Sequence, residues 1–551
     1  MALAGSEVSS RKGVVSAGHP LAVRAGLAAL ADGGSAVDAI VAAAFVAFVA
    51  EPNNAGIGGY GHLSAFLAAD HDFLTVDHGP RAPAAARPDM FNVQPSGTSG
   101  TAWPSVIGEC NAVGHLAVAV PGAVAGLWAA HQRDGRLGWS RLLEPAIALA
   151  RQGLEVSWGL IIEIAARHEE IRSHPALAAI VLPNGRLPRA RTADAEGERL
   201  DQRDLATTLE AIAQRGPQAL YEGPVAERIA EAVAEGGGIL TAEDLAAYAP
   251  KLYTEPPARY RDLEYVTAGD TVGYETLGIL EQFDLRHHGD GSAEHYHLLA
   301  EAMGHAFADG ATYSSDPDFT GDPVHELGGP EFAATRAAGI SLDRAAPRPI
   351  VPAAPWRADG QPSTGGVSGT TQVVCGDAEG NLVALITTIG ADFGSLVAVP
   401  GTGVILNNSM VNYDPRANRG NSIAPGKMPF FAVPTLVATR GGRAALAAAG
   451  SGGYPILAGV INTVANHVDH ALPIQEAIDR PRVHSQGEQT FIDSRVPEPV
   501  RARLTELGHE LVVQATTPGE LSFSRVSAIS IDHGELRAGA GPSWSTASGG
   551  L

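Results

Sequence analysis

The 551-residue chain reads as an α/β protein, built either as two domains or as one large layered domain. Three observations point there. The length exceeds what one ordinary core fills. Two β-branched runs, 371–375 and 382–389, sit around a short polar spacer and read as paired strands. Between the strand-like runs lie several segments with helical spacing of apolar residues, beginning with 20–50.

The first helical segment carries Gly33-Gly34 as a break, and its run 39–50 is apolar all round. That run is shorter than the roughly 20 residues a membrane span needs, so it predicts a helix buried on every side. It leads into Glu51-Pro52-Asn53-Asn54-Ala55-Gly56-Ile57-Gly58-Gly59-Tyr60-Gly61, a turn whose glycines suit close packing before a strand at 62–68. Next comes Asp77-His78-Gly79-Pro80-Arg81, where an arginine beside a turn reads as a solvated side chain. Val120-Pro121-Gly122 opens another helix. Helical segments follow at 141–152, 204–215 and 225–234, and Thr241 with Asp244 makes a capping box for 242–248. These read as scaffold. His287, His288, His295 and His297 cluster in sequence, but their spacing does not favour a metal centre, and they read as loop and surface histidines.

The chemistry gathers around residue 370. The stretch 345–369 is rich in Pro and Gly, has neither helical nor strand periodicity, and reads as a mobile loop. After it, Asp377-Ala378-Glu379-Gly380-Asn381 suits a three-residue hairpin loop with Gly380 in the left-handed position. With Asp377 facing Asn381, counting back places Thr388 opposite Thr370, at the cross-strand Cβ spacing of about 4.5–5.5 Å. A chain cut before Thr370 would expose a nucleophilic hydroxyl together with its own base, an α-amine of pKa about 7.7–8.0. The plainer alternative is a hairpin that begins with Thr, a residue strands favour. Further on, a buried strand at 443–449 runs through Gly450-Ser451-Gly452-Gly453 into a helix at 455–467. Backbone N–H groups at such a junction suit an oxyanion. The same residues nearly match a serine nucleophile elbow, with Asp479 and His484 following in triad order, although Ala449 stands where the first Gly belongs.

The net charge is −22, from 38 Lys+Arg against 60 Asp+Glu, with no basic run, which argues against nucleic acid or an anionic membrane as partner. Cys110 and Cys375 are the only cysteines, too few for a disulfide framework or a Cys-based zinc site. The first residues lack an apolar signal-like region, so a cytoplasmic location is expected.

The run Thr370-Thr371-Gln372, Asp377, Gly380-Asn381, Phe393-Gly394, Gly401-Thr402-Gly403 and Leu406-Asn407-Asn408 resembles the start of the small subunit of γ-glutamyltranspeptidases. These are N-terminal-nucleophile hydrolases that cleave themselves before this Thr, and the resemblance covers nearly the whole chain. It implies a four-layer αββα sandwich with helical additions from the large subunit. It divides the chain into a large-subunit region, 1–369, carrying the processing loop, and a small-subunit region, 370–551. It implies cleavage between Gly369 and Thr370, catalysis by Thr370 with Thr388, and an oxyanion hole at Gly452 and Gly453. A small-molecule amide or acyl substrate is expected, with neither cofactor nor metal. The two fragments are expected to stay associated, pairing into a dimer of heterodimers being left open.

The substrate segments depart from the family pattern. Gly79 stands where the family places the Arg that grips the substrate α-carboxylate, and Arg81, two residues on, is the nearest replacement. Asn412 is neutral where an acid holds the α-ammonium, in a segment that also carries Ser409, while Gly390 follows Thr388 at the pocket. Phe430 and Phe431 take over the segment that supplies two serines in the family. Loss of three partners for one charged head group predicts a different acyl donor. The expectation is therefore a self-processing amidohydrolase acting on a non-glutamyl acyl group. The alternatives are a true γ-glutamyl enzyme, a relative cleaving an acyl C–C bond, and an uncut, non-catalytic binding protein of the same fold.

Overall fold

The computed structural model describes residues 7–98, 103–268, 270–319, 324–353, 369–515, 523–541 and 545–551. Two seven-stranded antiparallel sheets form its centre. The first runs in the order Ala547–Gly550, Gly13–Ala17, Thr371–Asp377, Leu382–Thr388, Tyr60–Leu67, Asp72–His78 and Lys251–Tyr253. The second runs Val8–Ser10, Glu535–Ala540, Arg525–Asp532, Arg443–Ser451, Thr435–Arg440, Leu263–Thr267 and Ala258–Tyr260. The sheets pack face to face, with Thr371–Asp377 and Leu382–Thr388 lying over Arg443–Ser451.

Helices cover both outer faces and make an αββα sandwich. Pro20–Ala31, Ala36–Ala50 and Ala123–Asp134 pack on the first sheet, and Pro455–Asp469 and Ile474–Asp479 on the second. The helix Ala36–Ala50 is buried at every position, as an all-apolar run requires when it has helices on one side and a sheet on the other. It is separated from Pro20–Ala31 at Gly33, which takes φ 88°. Its start is held by a capping box between Ser35 and Asp38. The Thr241–Asp244 capping box is also present, on the short helix Ala242–Ala246. No described helix is long and apolar enough to cross a membrane.

The central hairpin has the register expected from its loop. Asp377 N–H donates to the Asn381 carbonyl at 3.1 Å, Gly380 takes φ 89°, and Thr371 faces Thr387. Of the Pro/Gly-rich stretch, 354–368 lies outside the described residues. Its first part, 345–353, is a strap laid along the helix Ala293–Tyr313. Ala346 N–H donates to Glu301, the Arg348 guanidinium pairs with Glu301, and Ala353 N–H donates to Asp309.

The histidine cluster requires a correction. His295 and His297 are buried rather than superficial, 1% and 0% exposed, because Ala293–Tyr313 is enclosed on all sides. Glu301, one helical turn beyond His297, has a carboxylate oxygen within 4.8 Å of ring nitrogens of His297 and His509. The two rings form a hydrogen-bond chain in which Thr490 Oγ1, His509 and His297 connect to the Ser341 carbonyl, with 2.8 Å between His297 Nδ1 and His509 Nε2. A chain of this kind satisfies both rings without an ion.

Candidate active site

Thr370 ends the segment before the central strand, and Thr388 closes the next strand. Their hydroxyl oxygens are 3.3 Å apart, and both are buried. In the continuous chain both hydroxyls turn to one atom, the carbonyl oxygen of Gly369. Thr370 donates to it at 2.6 Å, and Thr388 donates to it as well. Thr388 Oγ1 in turn accepts from Gly390 N–H at 2.8 Å. Gly369 is confined by the opposite wall, since a Cβ there would lie 2.4 Å from the Gly390 carbonyl oxygen. Gly390 is confined likewise by the Asn408 side-chain oxygen at 1.9 Å.

The glycine-rich turn holds this arrangement from below. A Cβ on Gly59 would meet the Thr388 carbonyl oxygen at 2.2 Å, and one on Gly61 the Ile386 carbonyl oxygen at 2.1 Å. The turn is therefore a packing device, and what it packs is the strand end carrying Thr388. On the far side, Gly452 and Gly453 adopt φ 118° and 72° at the end of Arg443–Ser451, and the helix Pro455–Asp469 begins two residues later.

Two residues missed in the sequence fix Thr370 from behind. Arg525 donates from Nη2 to the Thr370 carbonyl and from Nε to the Ser451 hydroxyl, both at 2.8 Å. Its Nη1 lies 3.7 Å from Glu51, and Glu51 also accepts from the Thr371 hydroxyl at 2.6 Å. No local pattern signals this, because Glu51, Thr371 and Arg525 are scattered over the chain. The network also bears on the serine-elbow alternative. The Ser451 hydroxyl is taken by Arg525, and His484 Nε2 is 2.9 Å from the Gln486 amide, so neither is directed at the other.

One cavity joins these elements. It is lined by Thr370, Thr388, Gly390 and Gly453 at one end, and by Tyr60, His62, Ile386, Asn412, Phe431, Val433 and Tyr454 around the rest. Tyr60 OH and Asn412 Nδ2 are 3.3 Å apart, and burial raises the Tyr60 phenol to about 12. Ser409 stands behind this wall, accepting from Asn412 at 3.3 Å.

Several expected substrate residues lie elsewhere. Arg81 is neither solvated nor in the cavity wall. Its Nη1 is 3.1 Å from Asp316 and its Nη2 3.5 Å from Asp77, and the side chain is 13% exposed. Asp316, 235 residues away, supplied the partner that sequence reading lacked. Gly79 faces Met428, whose Sδ would be 2.5 Å from a Cβ there. Phe430 does not share the wall with Phe431. It turns into the core beside Gly310, while Phe431 packs against Tyr60 with ring centroids 5.4 Å apart. Consecutive residues of an extended segment point to opposite sides, so one ring of the pair reaches the cavity. Gly452 also stands outside the lining, with Gly453 as the nearer of the two.

A sequence model of the family described as Gamma-glutamyltranspeptidase matches residues 22–550. The chain is 36% identical over 518 residues to the acylase ACY 1 proenzyme of Pseudomonas sp. (strain V22), covering 93% of this chain and 89% of that protein. It is 31% identical over 538 residues to the glutathione hydrolase proenzyme of Bacillus subtilis (strain 168), covering 95% and 88%. In three dimensions it is similar to cephalosporin acylase from Bacillus halodurans, with a TM-score of 0.86, 26% identity, and coverage of 99% and 97%.

Proposed function

Because the chain belongs to the gamma-glutamyltranspeptidase family, we propose that it is a self-processing acylase that uses Thr370 to hydrolyse an amide of a non-glutamyl acyl group. The observation that carries this reading is the convergence of the Thr370 and Thr388 hydroxyls on the Gly369 carbonyl oxygen. Maturation would proceed by attack of Thr370 Oγ1 on the Gly369 carbonyl carbon, with Thr388 polarising the carbonyl. The Gly369–Thr370 C–N bond breaks as the ester forms, the Thr370 nitrogen takes up the proton, and water hydrolyses the ester. This splits the chain into 1–369 and 370–551.

The freed α-amine then serves as base for the same hydroxyl. The substrate carbonyl is attacked at the place Gly369 had held, the oxyanion is stabilised by backbone N–H at Gly453 with Gly452, and the amine leaves. Water then releases the acid from Thr370.

The cavity wall supports a neutral acyl group. Tyr60, His62, Ile386, Phe431, Val433 and Asn412 line it, and among the described residues no carboxylate, lysine or arginine does. Arg81 is committed to Asp77 and Asp316, so among the described residues that wall offers no cation for a dicarboxylic or γ-glutamyl group. The test has two parts. Purified protein should run as two fragments on a denaturing gel, the smaller beginning TTQVV, and should hydrolyse neutral acyl p-nitroanilides. Full activity in an uncut chain would overturn the mechanism.

A further inference from the structure

Resting on that reading, we propose that His62 sets acyl specificity, and that the acyl group ends, away from its carbonyl, in a neutral O–H or N–H donor seated on His62 Nε2. His62 comes from Tyr60–Leu67, and its ring lines the same cavity as Thr370, Thr388 and Gly453. It is 2% exposed, and its two ring nitrogens are closed to a water-sized probe and have no hydrogen-bond partner among the described residues. A buried polar atom left so is unfavourable unless something completes it. His62 borders the cavity beside Phe431, and in the proposed complex the substrate supplies the partner as the Phe431 ring gives way.

The polarity of that partner follows from the surroundings. Asp77 faces His62 across the sheet, and its Oδ1 lies 3.5 Å from His62 Nδ1. Burial lowers the His62 pKa more than Asp77 raises it, so the imidazole is neutral near pH 7. A neutral imidazole carries one N–H and one lone pair. The carboxylate draws the N–H to Nδ1, which leaves Nε2, on the other edge of the ring, as an acceptor.

Charge behind the ring argues against an anionic tail. Asp77 is the acid beside the ring, and it shares Arg81 with Asp316. A carboxylate seated on the ring would face the Asp77 charge behind it. The edge of Phe431, with its ring centroid 5.6 Å from that of His62, offers an apolar surface for the chain leading to the donor.

The test compares 5-hydroxypentanoyl, hexanoyl and glutaryl p-nitroanilides. The first two are matched in length and differ by O–H against CH₃. Wild type should favour the hydroxyacyl over the alkyl substrate at least about tenfold in kcat/KM, with glutaryl slowest. His62→Phe should erase that preference or invert it, and His62→Gln, which retains an acceptor, should keep part of it. Conversion of each variant into two fragments reports its folding independently of turnover. A wild type that hydrolyses the series with no hydroxyl preference, or a His62→Phe variant that keeps it, overturns the role of His62 and leaves the acylase reading standing. A wild type that hydrolyses none of the series overturns both.

Discussion

The two ends of the cavity are built from different materials. At the Thr370 end, the groups are backbone carbonyls, N–H groups and two hydroxyls, and Gly59, Gly61, Gly369 and Gly390 around them leave no room for a side chain. At the far end, the wall is made of side chains, and the nearby charges of Asp77, Arg81 and Asp316 are spent on one another. Backbone-built machinery tolerates little sequence change, because its geometry depends on close approach. A side-chain wall can be exchanged residue by residue without disturbing the strands beneath it. A reaction can thus be retained while the molecule it acts on is replaced.

The largest expected effect breaks the Thr370 end outright. Thr370→Ala should remain a single chain and lose turnover to the uncatalysed background, as read by gel and by p-nitroaniline release. Thr370→Ser, which keeps a hydroxyl, should still process. At the other end, γ-glutamyl-p-nitroanilide should be hydrolysed at least about a hundredfold less efficiently than the best neutral acyl analogue. Burying its unpaired charges costs several kcal/mol per ion, and each 1.36 kcal/mol is a tenfold change in rate. Comparable kcat/KM values for the two would erase the contrast drawn between the ends.

Thr388→Ala sharpens the comparison. It removes a hydroxyl donor to the Gly369 carbonyl, and the loss of one oxyanion donor costs about 2.7–4 kcal/mol. Maturation, followed by the decay of full-length chain, should slow about a hundredfold or more, and Thr388→Ser should restore most of it.

The smallest catalytic effect is expected from Arg81→Ala. Removing the guanidinium takes from buried Asp77 and Asp316 the partner they share, so the change should destabilise the protein by about 3–5 kcal/mol, read by denaturant unfolding. The ranking of acyl substrates should change little. A new tolerance or intolerance for carboxylated acyl groups, with unaltered stability, would return Arg81 to the substrate wall.

Legibility from sequence followed the same division. The hairpin could be counted because one loop fixes its register, and the strand–glycine–helix junction could be read because its elements are contiguous. The ion pairs were invisible because Arg81 meets Asp316 only after the chain has folded. The choice between Phe430 and Phe431 depended on which side of an extended segment faced the cavity, a matter of parity that composition does not record. The burial of His295 and His297 was missed for a related reason. Their helix is enclosed by the strap 345–353 and by the region around His509, which no local pattern connects to it.

The way the two sheets are threaded has a final consequence. In the first sheet, Gly13–Ala17 lies between Ala547–Gly550 and Thr371–Asp377, and Leu382–Thr388 borders Tyr60–Leu67. In the second, Val8–Ser10 and Leu263–Thr267 close on strands from beyond residue 370. A break before Thr370 therefore leaves two pieces woven through each other like warp and weft, with no single seam along which to part. The peptide link would be needed to bring the threads into register, and afterwards it would hold nothing that the weave does not already hold. Once cut, the molecule would keep its shape but lose the covalent instruction for making it again, so that unfolding would become a one-way passage.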